Sequence, residues 1–540
     1  MDEAAVSGAD KARPSWKLKS PIDAATQGLV TSGFGDLETG RALFLECGPA
    51  VTGAAWLRDL ARVAPITNAA PPADDGPSTR AAAIAFTWTG LKRIGLDEAA
   101  LASFSRPFRE GMFQEDRLRR LGDRRSGKWL ETVIDGGPRW SANTASSASE
   151  AVLQFEVEGP RDGDEEERVT TPITVHALLL LYARSEASAD KWAADVESAL
   201  QPHDVRIVHR LPLVLDVIEG GRISREHFGF NDGLSQPAPY DEDGAVTLAG
   251  ADVGKGQDSV QGIPLGEVLI GYLNGHHEKA PGPVVPNSPE GLPEAVALPP
   301  HPEAEGFFDF GLNGSYMVVR ELRQDVAAFW NAMDRNAERI RAQDPQNSSH
   351  VTAEWLAERA VGRDSEGHLL CPGGKLGPDP DNYPRNDFLF FESDPHGVGC
   401  PPGSHVRRSN PRDALAPSAN DREALLQAAN NHRILRRGRK FGHKIPDYRV
   451  PDGQDRGLLF VCLNTDIARQ FEFVQQTWLL NANFATLHGE TDPLVGPPGD
   501  MTIREEPLRR TVQVETFVEM AGGDYFFLPS MNALNYLRRL

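Results

Sequence analysis

Hydrophobic and polar positions along this chain follow two periods, and the switch between them marks out its elements. Arg41–Cys47 (Arg-Ala-Leu-Phe-Leu-Glu-Cys) reads as a strand, and Ala54–Val63 carries apolar residues at helical spacing. Ala82–Trp88 reads as a second strand. Ile173–Ala183 is a third, and its run Ala-Leu-Leu-Leu-Leu-Tyr-Ala predicts burial on both faces. Ser188 is the expected cap of a helix running through Leu200, and Val205–Val217 supplies a fourth strand.

Strand, helix, strand, strand, helix, strand is the ferredoxin-like order. The second half repeats the theme. Gly314–Arg320 is a strand feeding a helix from Gln324 to about Arg341, and Gly457–Leu463 is a strand feeding a helix from Ile467 to Trp478. Matching strand-to-helix units predict a duplicated α+β domain. Residues 1–20 are polar and aperiodic and read as a tail. The acidic stretch Asp162–Glu167 and the proline-rich stretch His276–Glu305 read as surface excursions.

Composition narrows the function. The chain has 540 residues, 40% hydrophobic and 25% charged, enough apolar material for a large core. With 56 Lys plus Arg against 77 Asp plus Glu, the net charge is −21. So acidic a surface repels phosphate backbones and anionic lipid, so neither nucleic acid nor membrane is an expected partner. No apolar run is long enough to span a bilayer. Four cysteines make no disulfide framework and the start carries no secretory signal, which together predict a cytoplasmic protein.

Three segments depart from this background. In His227-Phe228-Gly229-Phe230-Asn231-Asp232-Gly233, glycines flank an acid, allowing tight turns and close approach to a flat ligand. An ordinary Asp-Gly turn is the alternative. In Cys400–Asp413, His405 sits among arginines after a proline-rich turn. A neutral imidazole suits an axial haem ligand, and Arg407 could pair with a haem propionate. The alternatives are a surface histidine, or a thiolate at Cys400 or Cys371. In His432–Gly442, basic residues concentrate around Arg436 in an otherwise acidic chain. Nucleotide-binding glycine loops, His-Glu-x-x-His, Cys-x-x-Cys pairs and Gly-x-Ser-x-Gly are all missing from the sequence.

Together these segments resemble the dye-decolourising peroxidases. Gly229-Phe230-Asn231-Asp232-Gly233 matches the family's Gly-x-x-Asp-Gly motif, Cys400–Asp413 is similar to the segment carrying its proximal histidine, and Ile434–Arg437 to the one carrying its distal arginine. Thr26–Val30, Gly266–Tyr272, Asn313–Trp330 and Gly457–Trp478 also read like family segments, and Phe471–Trp478 resembles the larger members.

The resemblance implies an α+β fold of two ferredoxin-like domains, antiparallel sheets packed with helices, of the dimeric α+β barrel type. Residues 21–235 would be the first domain and 236–540 the haem-binding second. It implies haem b (iron protoporphyrin IX) with His405 as proximal iron ligand, and hydrogen peroxide and an organic reducing donor as substrates. Asp232 would be the distal acid/base and Arg436 its electrostatic partner, with Gly229, Gly233 and Arg407 about the haem. Leu458 and Phe460 alternate with Leu459 and would face the haem, although plain strand core fits the same pattern. Asp466 would orient His405 from behind, or simply cap a helix. An aspartate base, ordinarily ionised above about pH 3.9, predicts a turnover optimum below neutrality. The rival function is haem handling or iron recovery without efficient peroxidase turnover. The sequence leaves open whether the chain forms a homo-oligomer.

Overall fold

The structure, a computed structural model, describes residues 16–49, 51, 53–72, 78–142, 173–215, 224–241, 244–248, 260–286, 297–377, 384–505 and 507–540. Eight strands build its centre: Thr39–Cys47 (β1), Arg80–Phe86 (β2), Ala177–Ala183 (β3), Val205–Val214 (β4), Ser315–Gln324 (β5), Arg439–Phe441 (β6), Gly457–Asn464 (β7) and Val518–Leu528 (β8). They pair antiparallel in the order β4-β1-β3-β2 in the first half and β8-β5-β7-β6 in the second. Two seams join the halves. Lys440 and Phe441 of β6 face Val214 and Leu213 of β4, and Phe527 of β8 faces Phe86 of β2. The eight strands thereby close into a barrel.

The period-two patterning sorts side chains between the two faces. Phe44, Leu178, Leu180, Met317, Val319, Leu459, Val461 and Phe526 fill the barrel interior. Each such burial stabilises the fold by roughly 1.5–3 kcal/mol. Outside the first half lie the helices Ala55–Val63 (α1) and Glu186–Leu200 (α2), whose Trp56, Leu60, Trp192 and Val196 cover Leu43 and Leu179. Outside the second half the helix Val326–Gln343 (α3) packs Phe329 and Trp330 against Phe228 and Phe230. The rest of that outer face, with Leu458 and Phe460 of β7, borders a cavity.

β3 is buried on both faces, as its unbroken apolar run requires. Several boundaries differ from the sequence expectation. Trp16–Leu18 is not tail but a strand paired with Val246–Leu248, because Trp16 and Leu18 are buried. Ser185, not Ser188, caps α2, its hydroxyl accepting the Ser188 N–H. Trp88 opens a helix behind the Thr87 cap rather than ending β2, and β4 stops at Val214. The helix expected from Ile467 winds as two π-helical stretches, Ala468–Glu472 and Val474–Leu479. Within the proline-rich excursion, Val285 and Leu298 are buried in the main core, so this segment is partly structural. The acidic stretch Asp162–Glu167 lies outside the described residues. Among those residues no helix is long and apolar enough to cross a membrane.

Candidate active site

The cavity beside β7, about 360 Å³, gathers residues from both halves. Asp232 comes from the segment that follows β4. Gly229 (φ 102°) and Gly233 (φ 80°) both take the left-handed backbone that glycine tolerates, which lets the loop turn on either side of the acid. Asp232 Oδ1 accepts the Gly233 N–H at 2.6 Å, and its own N–H donates to Ser224 O. Arg436 lies on the two-residue strand Leu435–Arg436, paired with β7 opposite Cys462. Its backbone N–H donates to Gln236 Oε1 at 3.0 Å, and its guanidinium Nη1 reaches Asp232 Oδ1 at 3.3 Å. Both side chains stay partly open to the cavity.

His405 begins the short helix His405–Ser409 (α4) and lines the same cavity. The turn before it is tied down by Asp394, whose carboxylate accepts the N–H groups of Val398, Gly399 and Cys400. His405 Nδ1 lies 2.9 Å from Oδ2 of the buried Asp492, whose Oδ1 accepts from Leu494 and Val495 N–H. Burial disfavours charge on both groups, but their mutual attraction outweighs it, raising the imidazole and lowering the carboxyl. Nδ1 therefore carries the proton shared with Asp492, and the Nε2 lone pair is left for a ligand.

Leu458 and Phe460, both half-buried, line the cavity, and Leu459 between them, buried in the barrel interior, borders it as well. Two sequence assignments do not hold. Arg407 does not reach the cavity. It is buried behind α4, donating to Asp394 O and Cys400 O and lying over the Phe390 ring, because two positions along a helix turn a side chain about 200° from His405. Asp466 does not orient the histidine either. Its carboxylate accepts the Arg469 N–H at 3.0 Å, a cap at the start of the π-helical segment. The place meant for it is taken by Asp492, for which nothing local in the sequence gave a signal. The thiolate alternative at Cys400 also fails on geometry. Cys400 is buried against Ser404 Oγ, its thiol pushed up to about 11, and does not line the cavity.

The structure adds two cavity-lining arginines, Arg433 and Arg363, which burial pushes down to about 10. Among the described residues neither forms an ion pair with a carboxylate. Among them, Arg433 makes two 3.4 Å contacts, to Val260 O and Ser235 O. Buried guanidinium groups without a counter-charge are costly and suit an anionic ligand. Among the described residues, both polar atoms of the Asn410 amide, also on the cavity wall, have no hydrogen-bond partner. One imidazole lone pair, apolar walls and unbalanced cationic groups together fit a planar, carboxylate-bearing iron macrocycle.

No family model matches the chain. A multifunctional dye peroxidase of an Amycolatopsis species is 29% identical over 389 residues, 67% of this chain and 71% of that protein. A dye-decolorizing peroxidase of Mycena epipterygia is 27% identical over 401 residues, 67% of this chain and 66% of that protein. The chain thus spans about two-thirds of the length of these relatives. In fold, the crystal structure of a DyP-type peroxidase from an Anabaena species superposes with a TM-score of 0.66 over 96% of this chain and 94% of that one, at 21% identity.

Proposed function

From its resemblance to the dye-decolorizing peroxidases, we propose that this chain is a haem b peroxidase that reduces hydrogen peroxide and oxidises dyes, phenols or similar organic donors. The observation that carries the reading is the meeting of Asp232 and Arg436, 3.3 Å apart, in the one cavity that His405 also lines. A haem carrier has no need of that pair, so the geometry favours turnover over haem handling. We also read the identical strand order of the two halves as a duplication of ferredoxin-like domains, 21–235 and 236–540, the second holding the haem.

His405 would ligate the iron through Nε2, while Arg433 and Arg363 would balance the propionates. Bound haem would supply the oxidising equivalents of the reaction. The chain supplies proton transfer and positioning. Asp232, as carboxylate, takes the proton from one peroxide oxygen and returns it to the other, a transfer that needs one base at short range. Arg436 directs its guanidinium N–H groups at the charge that develops as the O–O bond breaks. Leu458 and Phe460 keep bulk water from the same wall, which strengthens both effects. Asp492 holds the imidazole in one tautomer and one orientation.

Haem titration followed by turnover with hydrogen peroxide and a phenolic donor tests the reading. Wild type should take up one haem and turn over. His405→Ala should lose the histidine-ligated spectrum, and Asp232→Asn should bind haem but turn over at least about 100-fold more slowly. Wild-type turnover in Asp232→Asn would overturn it.

A further inference from the structure

Glu226 is a half-buried carboxylate on the cavity wall that the reaction does not use. Its Oε1 accepts the Phe230 N–H at 2.8 Å, and its Oε2 accepts the Phe228 N–H at 2.8 Å and the Gln324 side-chain amide at 2.7 Å. The chain folds around it: Arg225 pairs with Asn231, Glu226 N–H donates to Phe230 O, and Gly229 N–H returns to Glu226 O. Among the described residues no cation pairs with it. Burial pushes its carboxyl upward, and the two backbone N–H groups and the Gln324 amide oppose that. A lone carboxylate at such a place costs more than an apolar side chain unless its hydrogen bonds are needed.

Those bonds tie together what the active site must hold in register. Asp232 stands two residues beyond Phe230, on the segment that follows β4. Gln324 ends β5 in the second half, and Glu226 and Gln324 both line the cavity. On its other side the loop is gripped by α3, where Phe228 stacks on Phe329 and the Trp330 indole N–H donates to Phe228 O at 3.1 Å. The Glu226 carboxylate takes the Phe228 and Phe230 N–H groups and, through the Gln324 amide, fastens them to β5. We propose that Glu226 is a positioning residue, which together with Gln324 sets the placement of Asp232 against Arg436. The proposal rests on the peroxidase reading for its consequence, but not for its geometry.

Glu226→Gln keeps the size and puts an NH₂ group against one of the donors. Gln324→Met removes only the tie to β5 and serves should the first variant fold poorly. Hydrogen–deuterium exchange of residues 224–233, in haem-free and haem-loaded protein, should quicken in both variants while α1 and α2 stay as in wild type. The rate constant for reaction with peroxide should fall roughly 10- to 100-fold in Glu226→Gln, the scale of a small misplacement of a reacting group. In the Asp232→Asn background the same substitution should change that rate little, because Glu226 acts through Asp232. Unchanged exchange, or an equal loss of rate in both backgrounds, would overturn the proposal. A wild-type protein that binds haem but ignores peroxide would instead refute the peroxidase reading, and exchange alone would then decide the role of Glu226.

Discussion

His405 Nδ1 and Asp492 Oδ2 stand 2.9 Å apart, joining two residues 87 positions distant in the chain. The carboxylate is fully buried and spends its other oxygen on the Leu494 and Val495 N–H groups, so it cannot swing away. On the peroxidase reading it would make the imidazole a stronger donor to the iron. Asp492→Asn should weaken haem binding about 10- to 100-fold and raise the Fe(III)/Fe(II) potential, measured by spectroelectrochemical titration. An unchanged potential would remove Asp492 from this role.

Arg436 makes a different contribution. Arg436→Ala leaves His405, Arg433 and the apolar walls intact, so haem loading should stay near wild type. The reaction with peroxide should slow about 100-fold or more, the cost of losing one charge-stabilising donor. Stopped-flow mixing with peroxide separates the two, and equal rates would take Arg436 out of the mechanism.

Asp466 should behave as a cap and nothing more. Asp466→Ala is expected to lower stability by about 1 kcal/mol in denaturant unfolding. Its haem spectrum and peroxide rate should match wild type; a changed iron potential would return Asp466 to the haem.

What was legible in the sequence follows from how local each cause is. β3 announced itself because seven apolar residues buried on both faces leave no other reading. β6 and the strand Leu435–Arg436 did not, since they are short, lie in a basic run and become strands only by pairing with β7 and, for β6, also with β4. The site divides the same way. Asp232, His405 and Arg436 stand in segments whose glycines, prolines or charge set them apart locally. Asp492 sits in a plain acidic turn and meets His405 only through the fold, as Arg408 ties Glu490 O and Trp478 O around it. Arg407 looked suitable by composition, but helix geometry turned it away.

His176 carries a pH dependence of stability remote from the cavity. Its Nδ1 accepts the Cys47 N–H at 2.9 Å, and burial, helped by Arg93, pushes the imidazole down from 6.5 to about 4. Between those values the unfolded chain binds a proton that the folded chain does not. Stability therefore falls as pH drops through that window, by about 3 kcal/mol in all. His176→Asn keeps an acceptor for Cys47 and cannot titrate, so its stability should fall less steeply from pH 6.5 to 4. Identical slopes in urea unfolding across that range would contradict this.

The most direct test is the absorption spectrum of haem-loaded protein before and after one equivalent of hydrogen peroxide, for wild type beside Asp232→Asn. The wild-type haem band should shift within the mixing experiment to that of an oxidised form. The same shift should be at least about 100-fold slower in the variant. A haem band indifferent to peroxide in both proteins, or equally fast in both, would contradict this.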